Sequence, residues 1–405
     1  MCMMLFNVFK NTVLFFLLGL ISCGNFAKQD AKKEDVPIQK AEPIVGANQT
    51  DAYLPLLQGK RVGIVANATS VIFKSQGYTH LVDSLLALQI NVVKVFAPEH
   101  GFRCTADAGE LIKDSKDTKT GLSILSLHGS NKKPTADQMK DLDVMVFDIQ
   151  DVGVRFYTYI STLHYVMEAC AENNVPLIIL DRPNPNGHYI DGPVLEPAYK
   201  SFVGMDPIPL VHGLTIGEYA QMANGEGWLQ NNVKCDVTII KVKNYTHQTR
   251  YSLPIKPSPN LPNDKAINLY PSLDIFRGTI INVGRGTDFQ MQCYGAPFFP
   301  KSEFSYTPTS NMGAKHPRFE GELCYGVDLR NTPFLNQFTL KYLIDAYQKT
   351  PDKNTFFGST FDIHAGNGIL KKQIESGMSE NDIRKTWEED LEKYKVKRLN
   401  YILYP

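Results

Sequence analysis

Five short runs along the chain are almost wholly apolar and rich in β-branched residues: RVGIVAN (61–67), NVVKVFA (91–97), LSILSL (122–127), DVMVFDI (143–149) and VPLIIL (175–180). Near-continuous Val/Ile/Leu runs of this length are what a strand covered on both faces requires. Helix-length segments separate them, such as His80 to Leu88 and Thr158 to Asn173. Strand, helix, strand in this order predicts parallel pairing through right-handed crossovers. Residues 51–265 are therefore expected to form an open, doubly wound α/β domain. Pro254, Pro257, Pro259 and Pro262 then punctuate LPIKPSPNLP, and such a run is neither helix nor central strand. Beyond it Tyr, Phe, Gly and Pro gather in loops before a charged, helix-like stretch, SENDIRKTWEEDLEKYK (379–395). Residues 266–405 are expected to be a smaller C-terminal α+β domain.

The amino-terminal end follows a different pattern. Lys10 precedes an apolar core of nine residues, Val13 to Ile21. A spanning helix needs about 20 apolar residues, so residues 1–22 read as a signal peptide. Leu20-Ile21-Ser22-Cys23 has the form of a lipobox, with Cys23 the residue that takes the lipid. Residues 23–50 carry Lys28, Asp30, Lys32, Lys33, Glu34 and Asp35 and bury too little apolar surface to fold alone. They are expected to be a tether. The body behind them exceeds the size at which a single core stops growing, which favours two domains. The expected location is the cell envelope, with the membrane touched only through the lipid.

Composition narrows the function classes. Lys plus Arg and Asp plus Glu both number 42, so no basic face calls for nucleic acid. With Cys2 cut away and Cys23 lipidated, Cys104, Cys170, Cys235, Cys293 and Cys324 remain. Five is odd and no Cys-x-x-Cys spacing occurs, which argues against a disulfide framework and a zinc knuckle. The Gly-x-Gly-x-x-Gly, GxxxxGK[ST], HExxH and GxSxG devices are missing, which weakens dinucleotide, NTPase, zinc-protease and serine-hydrolase readings. No cofactor and no metal is expected; Asp148, Asp151 and Asp181 would suit a hard cation, but neighbouring Arg155 and Arg182 explain them equally as ion pairs.

Ligands of parallel α/β sheets bind beyond the carboxyl ends of the strands. Those ends carry Asn67 to Ser70; Glu99, His100 and Arg103; Asp148, Gln150, Asp151 and Arg155; Asp181, Arg182 and Asn184; and, after the apolar run Ile208 to Val211, His212. Convergence of five such ends favours a site. Glu99, set between Pro98 and His100 where a buried strand opens into a loop, has the setting of a partly desolvated general acid. Glycosidic cleavage needs such an acid and commonly a second carboxylate. A simple Glu99–Arg103 ion pair is the alternative.

PEHGFR, ADAGE, FDIQDVGVRFYTY, LDRPNPNG, GPVLE, PSPNLP and GRGTD, in this order from about Gly59 onward, resemble the NamZ-type exo-β-N-acetylmuramidases, many of them Bacteroidetes lipoproteins. The resemblance implies a Rossmann-like domain joined to a smaller C-terminal domain, with the site in the cleft between them. It also implies release of terminal N-acetylmuramic acid from the non-reducing ends of peptidoglycan fragments. Carried over residue by residue, Glu99 is the leading catalytic carboxylate and Glu168, in YVMEAC, the second. Glu168 sits about 16 Å down a helix that starts near Tyr157, running away from the ligand edge, so Asp148, Asp151, Asp181 and Glu110 stay open as partners. Arg155, Arg182 and Arg285 would hold the lactyl carboxylate, because guanidinium forks match carboxylates. Arg103, His100, Asp148, Gln150, Asp151, Asn184, His212 and Asn260 would serve as further substrate binders. Two positions depart from the pattern: Cys104 stands where Gly is expected, and Val283 where some relatives carry Glu. A non-catalytic muropeptide-binding lipoprotein and an envelope amidase or esterase are the other readings.

Overall fold

The computed structural model describes residues 41–103 and 114–405. The signal peptide, Cys23, most of the tether, Cys104 and Glu110 lie outside the described residues. Residues 41–405 pack as one compact unit.

All five apolar runs form strands of one sheet: β1 (Val62–Ala66), β2 (Val92–Ala97), β4 (Ser123–Ser126), β5 (Val144–Asp148) and β6 (Leu177–Leu180). A short edge strand, β3 (Ser115–Lys116), pairs antiparallel with β4, and β7 (Val237–Ile240) adds a further parallel strand beside β6. The order across the sheet is β7-β6-β5-β1-β2-β4-β3. Without the edge strand, the six parallel strands have the Rossmann order, reversing between β1 and β5. Burial explains the composition: every residue of β1, β5 and β6 is buried, as expected for central strands clothed on both faces.

Four helices matter for the site: α1 (Leu81–Ala87), α2 (Tyr159–Glu172), α3 (Ile216–Gly225) and α4 (Asp264–Leu273). A capping box closes the start of α3, with Thr215 and Glu218 each bonding the other's backbone N–H. Helix α4 crosses the expected domain boundary, and one apolar core runs continuously from Val65 of the sheet to Tyr394 near the carboxyl end. The C-terminal part adds the antiparallel strands β8 (Cys293–Ala296), β9 (Ser305–Tyr306) and β10 (Cys324–Asp328), ordered β8-β10-β9.

Three local expectations need correction. The tether does not extend to residue 50: Ile44 pairs with Lys243, Gly46–Asn48 form a 3-10 turn whose Gly46 N–H donates to the Asp181 carbonyl, and Val45 and Ala47 are buried, so residues 41–50 belong to the body. The run ending at Val211 is not a strand of the main sheet: Pro209–Val211 pairs antiparallel with Asp191–Val194 in a separate two-stranded ribbon. The charged stretch near the end is two helices, Glu380–Lys385 and Glu388–Arg398, broken where buried Trp387 docks on Phe338.

Candidate active site

In this fold the ligand crevice normally opens where the strand order reverses, here between the carboxyl ends of β1 and β5. That crevice is closed by side chains. Arg182 binds Asp148 through Nε at 2.6 Å and Nη2 at 2.9 Å, and its Nη2 also donates to the Val71 carbonyl at 3.0 Å. Thr69 Oγ1 accepts the Gln150 N–H at 3.0 Å, and the Ser70 hydroxyl donates to the Asp148 carbonyl.

An open space lies one strand over, beyond β2. The chain leaves β2 through Pro98 and turns sharply, with His100 and Gly101 at φ 71° and 78° and the Gly101 N–H on the Pro98 carbonyl. Few side chains adopt positive φ without a reason, and here the turn presents Glu99 to a slot. Thr158 precedes α2 in the N-cap position without capping it. Its hydroxyl instead donates to Glu99 Oε2 at 3.2 Å. Tyr157 Oη donates to the Pro257 carbonyl at 2.7 Å, and Ser258 Oγ lies 3.3 Å from His100 Nε2. The Pro-rich bridge is therefore a wall of the slot. Phe156, Tyr157, Tyr159 and Tyr270, packed edge to face at 4.9–5.7 Å, form its aromatic side.

The slot is narrow, about 50 Å³, and adjoins a wider basin of about 730 Å³; Asp274, Arg277 and Arg285 line both. Basin residues come entirely from the C-terminal part, including Asn282, Lys315, His316 and Arg318. Arg285 sits between Gly284 and Gly286, at φ 78° and 83°; a Cβ on Gly286 would meet Pro317 at 2.6–2.7 Å and the Thr309 carbonyl at 2.8 Å. Only glycine lets this turn lie against the rim loop. Asn260 ties that loop to the slot, its Nδ2 donating to the Gly313 carbonyl at 2.8 Å, while its buried Oδ1 has no hydrogen-bond partner among the described residues.

The charges are unevenly shared. Asp274 Oδ1 accepts from Arg285 Nη2 at 3.1 Å, Oδ2 accepts from Tyr270 Oη at 3.1 Å, and Arg277 Nε stands 3.9 Å away. Burial pushes this carboxyl up, but Arg277 and Arg285 more than offset it and hold it below the usual carboxylate range. Arg318 donates to the Ile281 carbonyl at 3.0 Å and shows no acidic partner among the described residues. Burial and the nearby Arg285 charge both depress its pKa, so an anion between them would relieve a real repulsion.

Of the residues expected at the site, Glu99, His100, Asn260 and Arg285 line this space. The others are engaged elsewhere. Arg155 is 0% exposed, and its guanidinium donates to the carbonyls of Pro193, Ile208, His364 and Ala365 at 2.7–3.2 Å. It staples the ribbon to the C-terminal part and has no fork to offer a substrate. Arg182 and Asp148 are consumed by each other. Arg103 pairs with Asp117 at 2.8 Å and Asp83 at 3.1 Å rather than with Glu99. Gln150 Nε2 serves the carbonyls of Asp151 and Pro183; Asp151, pushed up to about 7 by burial, accepts the Gly153 N–H at 2.6 Å. Asn184 Nδ2 donates to the Leu214 carbonyl and buried His212 accepts the Leu214 N–H. Asp181 accepts from the hydroxyls of Thr215 at 2.7 Å and Tyr404 at 2.6 Å.

Glu168 is likewise misplaced as a second acid of this slot. It lies nine residues beyond Tyr159, roughly 14 Å along α2. Its carboxylate, 3% exposed, accepts from Lys133 Nζ at 3.0 Å and the Gln230 N–H at 2.8 Å, with His164 Nε2 at 3.2 Å. Asp274, Arg277, Arg318 and His364 are the site residues that sequence reasoning missed. No group of three His, Cys, Asp or Glu placed to hold a metal occurs among the described residues.

Two family models match successive parts of the chain: "Exo-beta-N-acetylmuramidase NamZ, N-terminal" over residues 62–265 and "Exo-beta-N-acetylmuramidase NamZ, C-terminal" over residues 268–404. The chain is 36% identical over 431 aligned positions to the peptidoglycan β-N-acetylmuramidase NamZ of Bacillus subtilis strain 168, covering 98% of this chain and 100% of that protein. Two crystal structures of DUF1343 family proteins from Bacteroides fragilis are similar in fold, each covering 90% of this chain and 99% of the other. One is 47% identical with a TM-score of 0.83, the second 29% identical with a TM-score of 0.76.

Proposed function

Because the chain belongs to the exo-β-N-acetylmuramidase NamZ family, we propose that it is a glycosidase that releases terminal N-acetylmuramic acid from the non-reducing end of peptidoglycan fragments, with Glu99 as the proton donor. The observation that carries the reading is the Glu99 slot: a half-buried carboxyl faces an aromatic wall at the closed end of a cationic basin. Muramic acid differs from glucosamine by a lactyl ether whose carboxylate is an anion. Arg285 and Arg318, flanked by Arg277, line the basin and supply the opposite charge, on a side-chain type suited to carboxylates. Glu99 borders the slot, where Thr158 fixes one of its oxygens and the carboxyl is placed to serve a glycosidic oxygen. A proton delivered there lets the bond break as positive charge builds on the sugar.

Upstream of the body, Cys23 carries the lipid once residues 1–22 are removed, and the segment from Cys23 to the start of the packed body at residue 41 is the tether that places the enzyme at the cell envelope. The fold's two matched halves divide the work: the Rossmann-like half brings the acid, the C-terminal half the charge readers.

The test is Glu99→Gln. The amide keeps the shape of the carboxyl group and cannot protonate the leaving oxygen, so turnover on a chromogenic β-N-acetylmuraminide should fall by roughly 10²–10⁴-fold with an unchanged melting temperature. A folded and fully active variant would remove Glu99 from the chemistry and favour a binding role for this site.

A further inference from the structure

Glycoside cleavage through an oxocarbenium-like transition state commonly uses two carboxyl groups, one acidic and one ionised. Among the described residues that line the slot and basin, two bear carboxyls: Glu99, from the turn after β2, and Asp274, where α4 passes into the 3-10 turn Asp274–Gly278. They reach the space from different halves of the chain. We propose that Asp274 is the second carboxylate of the reaction, an ionised group that faces the anomeric centre across the slot from Glu99 and stabilises the positive charge that builds there. This deepens the muramidase reading and rests on it.

Three observations support the assignment. Asp274 is 3% exposed yet borders both cavities, so its charge acts in a site largely shielded from water, where a fixed charge is worth far more than in bulk solvent. Its two hydrogen bonds, from Tyr270 Oη and Arg285 Nη2, use part of the roughly four acceptor sites of a carboxylate. That leaves acceptor capacity on a carboxylate that borders the slot. Arg277 is held in its charged form by Asp274 first and, more weakly, by Glu99, so one guanidinium lies within the field of both carboxylates. The two guanidinium groups keep Asp274 ionised, and Glu99 is left the part of proton donor that the muramidase reading gives it. Glu99 gives that proton to the leaving oxygen as the bond from C1 to that oxygen breaks; a water then bonds to C1 and the proton it loses restores Glu99, while Asp274 itself forms and breaks no bond.

A competing role is that Asp274 merely anchors Arg285. The two differ in the kinetic constant they affect. Asp274→Asn in the full chain, assayed on the chromogenic β-N-acetylmuraminide, should lower kcat by roughly 10²–10³-fold, the usual cost of removing one preorganised electrostatic group, with KM changed only a few-fold. Asp274→Ala, which leaves room for a small anion, should recover part of its lost kcat on addition of formate, with the wild type unaffected. If Asp274→Asn does not fold, Asp274→Glu keeps the charge, displaces it by about one methylene, and should still lose more than tenfold in kcat. Asp274→Asn with kcat within about fivefold of wild type, Asp274→Glu with wild-type kcat, or a loss confined to KM and matching Arg285→Gln would each overturn the proposal. A wild-type chain inert towards the muraminide, or an active Glu99→Gln, would instead strike the muramidase reading. An active wild type, a dead Glu99→Gln and an active Asp274→Asn would strike the Asp274 assignment alone.

Discussion

Glu168→Gln separates a carboxylate that does chemistry from one that holds the fold. In the native state Glu168 accepts from Lys133, His164 and the Gln230 N–H. Burial raises its pKa, but His164, Gln230 and Lys133 together overcome that and bring it to about 2, against an ordinary 4.5. At about 1.4 kcal/mol per pKa unit, that difference is on the order of 3 kcal/mol of native-state stability at neutral pH. Glutamine preserves the shape and loses the charge, leaving His164 and Lys133 short of an anion. With an unfolding entropy near 2.1 cal/mol/K per residue, a loss of this size in the described body lowers the melting temperature by roughly 4 °C. The group's pKa is depressed in the folded state, so its contribution is complete above the unfolded value near 4.5 and disappears as pH falls towards 2. Melting curves of wild type and variant should therefore differ by several degrees at pH 7, draw together below about pH 4.5 and converge only as the pH approaches about 2. Turnover at a temperature where both are folded should stay within a few-fold. A variant that melts like wild type but is as inactive as Glu99→Gln would refute this reasoning and return Glu168 to the catalytic role that family resemblance suggested.

Arg318→Gln and Arg285→Gln should each erode the preference for a muraminide over the matching glucosaminide by about ten- to a hundredfold, the worth of one hydrogen bond to a charged group; unchanged ratios of kcat/KM in both would point to neutral readers. Arg155→Gln should leave that preference intact while costing on the order of 3 kcal/mol or more in denaturant unfolding, because several buried carbonyls lose their donor; an altered preference in a stable variant would contradict its structural role. Cys23→Ala should abolish lipidation and leave precursor or an untethered form, seen by detergent fractionation; continued recovery as a mature detergent-extracted lipoprotein would remove the anchor.

The sheet was legible because its constraint is local. A strand buried on both faces must be apolar throughout, and VGIVA, VMVFD and LIIL are buried at every position. β7 escaped notice because VTII is only four residues long and mostly half-buried or exposed, too short a run to carry a period. The Pro209–Val211 run was visible as a strand, yet nothing in its composition says which sheet it joins. Its antiparallel partner, Asp191–Val194, interrupts itself with Gly192 and Pro193 and does not announce a strand. The helix break at Trp387 depends on a contact with Phe338, far away in the chain.

The site was legible only where the backbone declares it. Glu99 follows a strand and precedes residues forced to positive φ, and Arg285 lies between two such glycines; both leave a trace in sequence. Strand ends also collect polar side chains whose work is to satisfy one another. Asp148 with Arg182, and Arg155 with four carbonyls, look like binding groups until their partners are known. Asp274, Arg277 and Arg318 come from a 3-10 turn and a rim loop, where no period distinguishes a functional charge from a solvated one. They become a site because Arg182 and Asp148 close the usual crevice, and the remaining opening beside β2 faces the C-terminal part. An acid from one half and its charge partners from the other then depend on a single continuous core. Loosening the contact between the halves should therefore impair proton delivery and carboxylate recognition together.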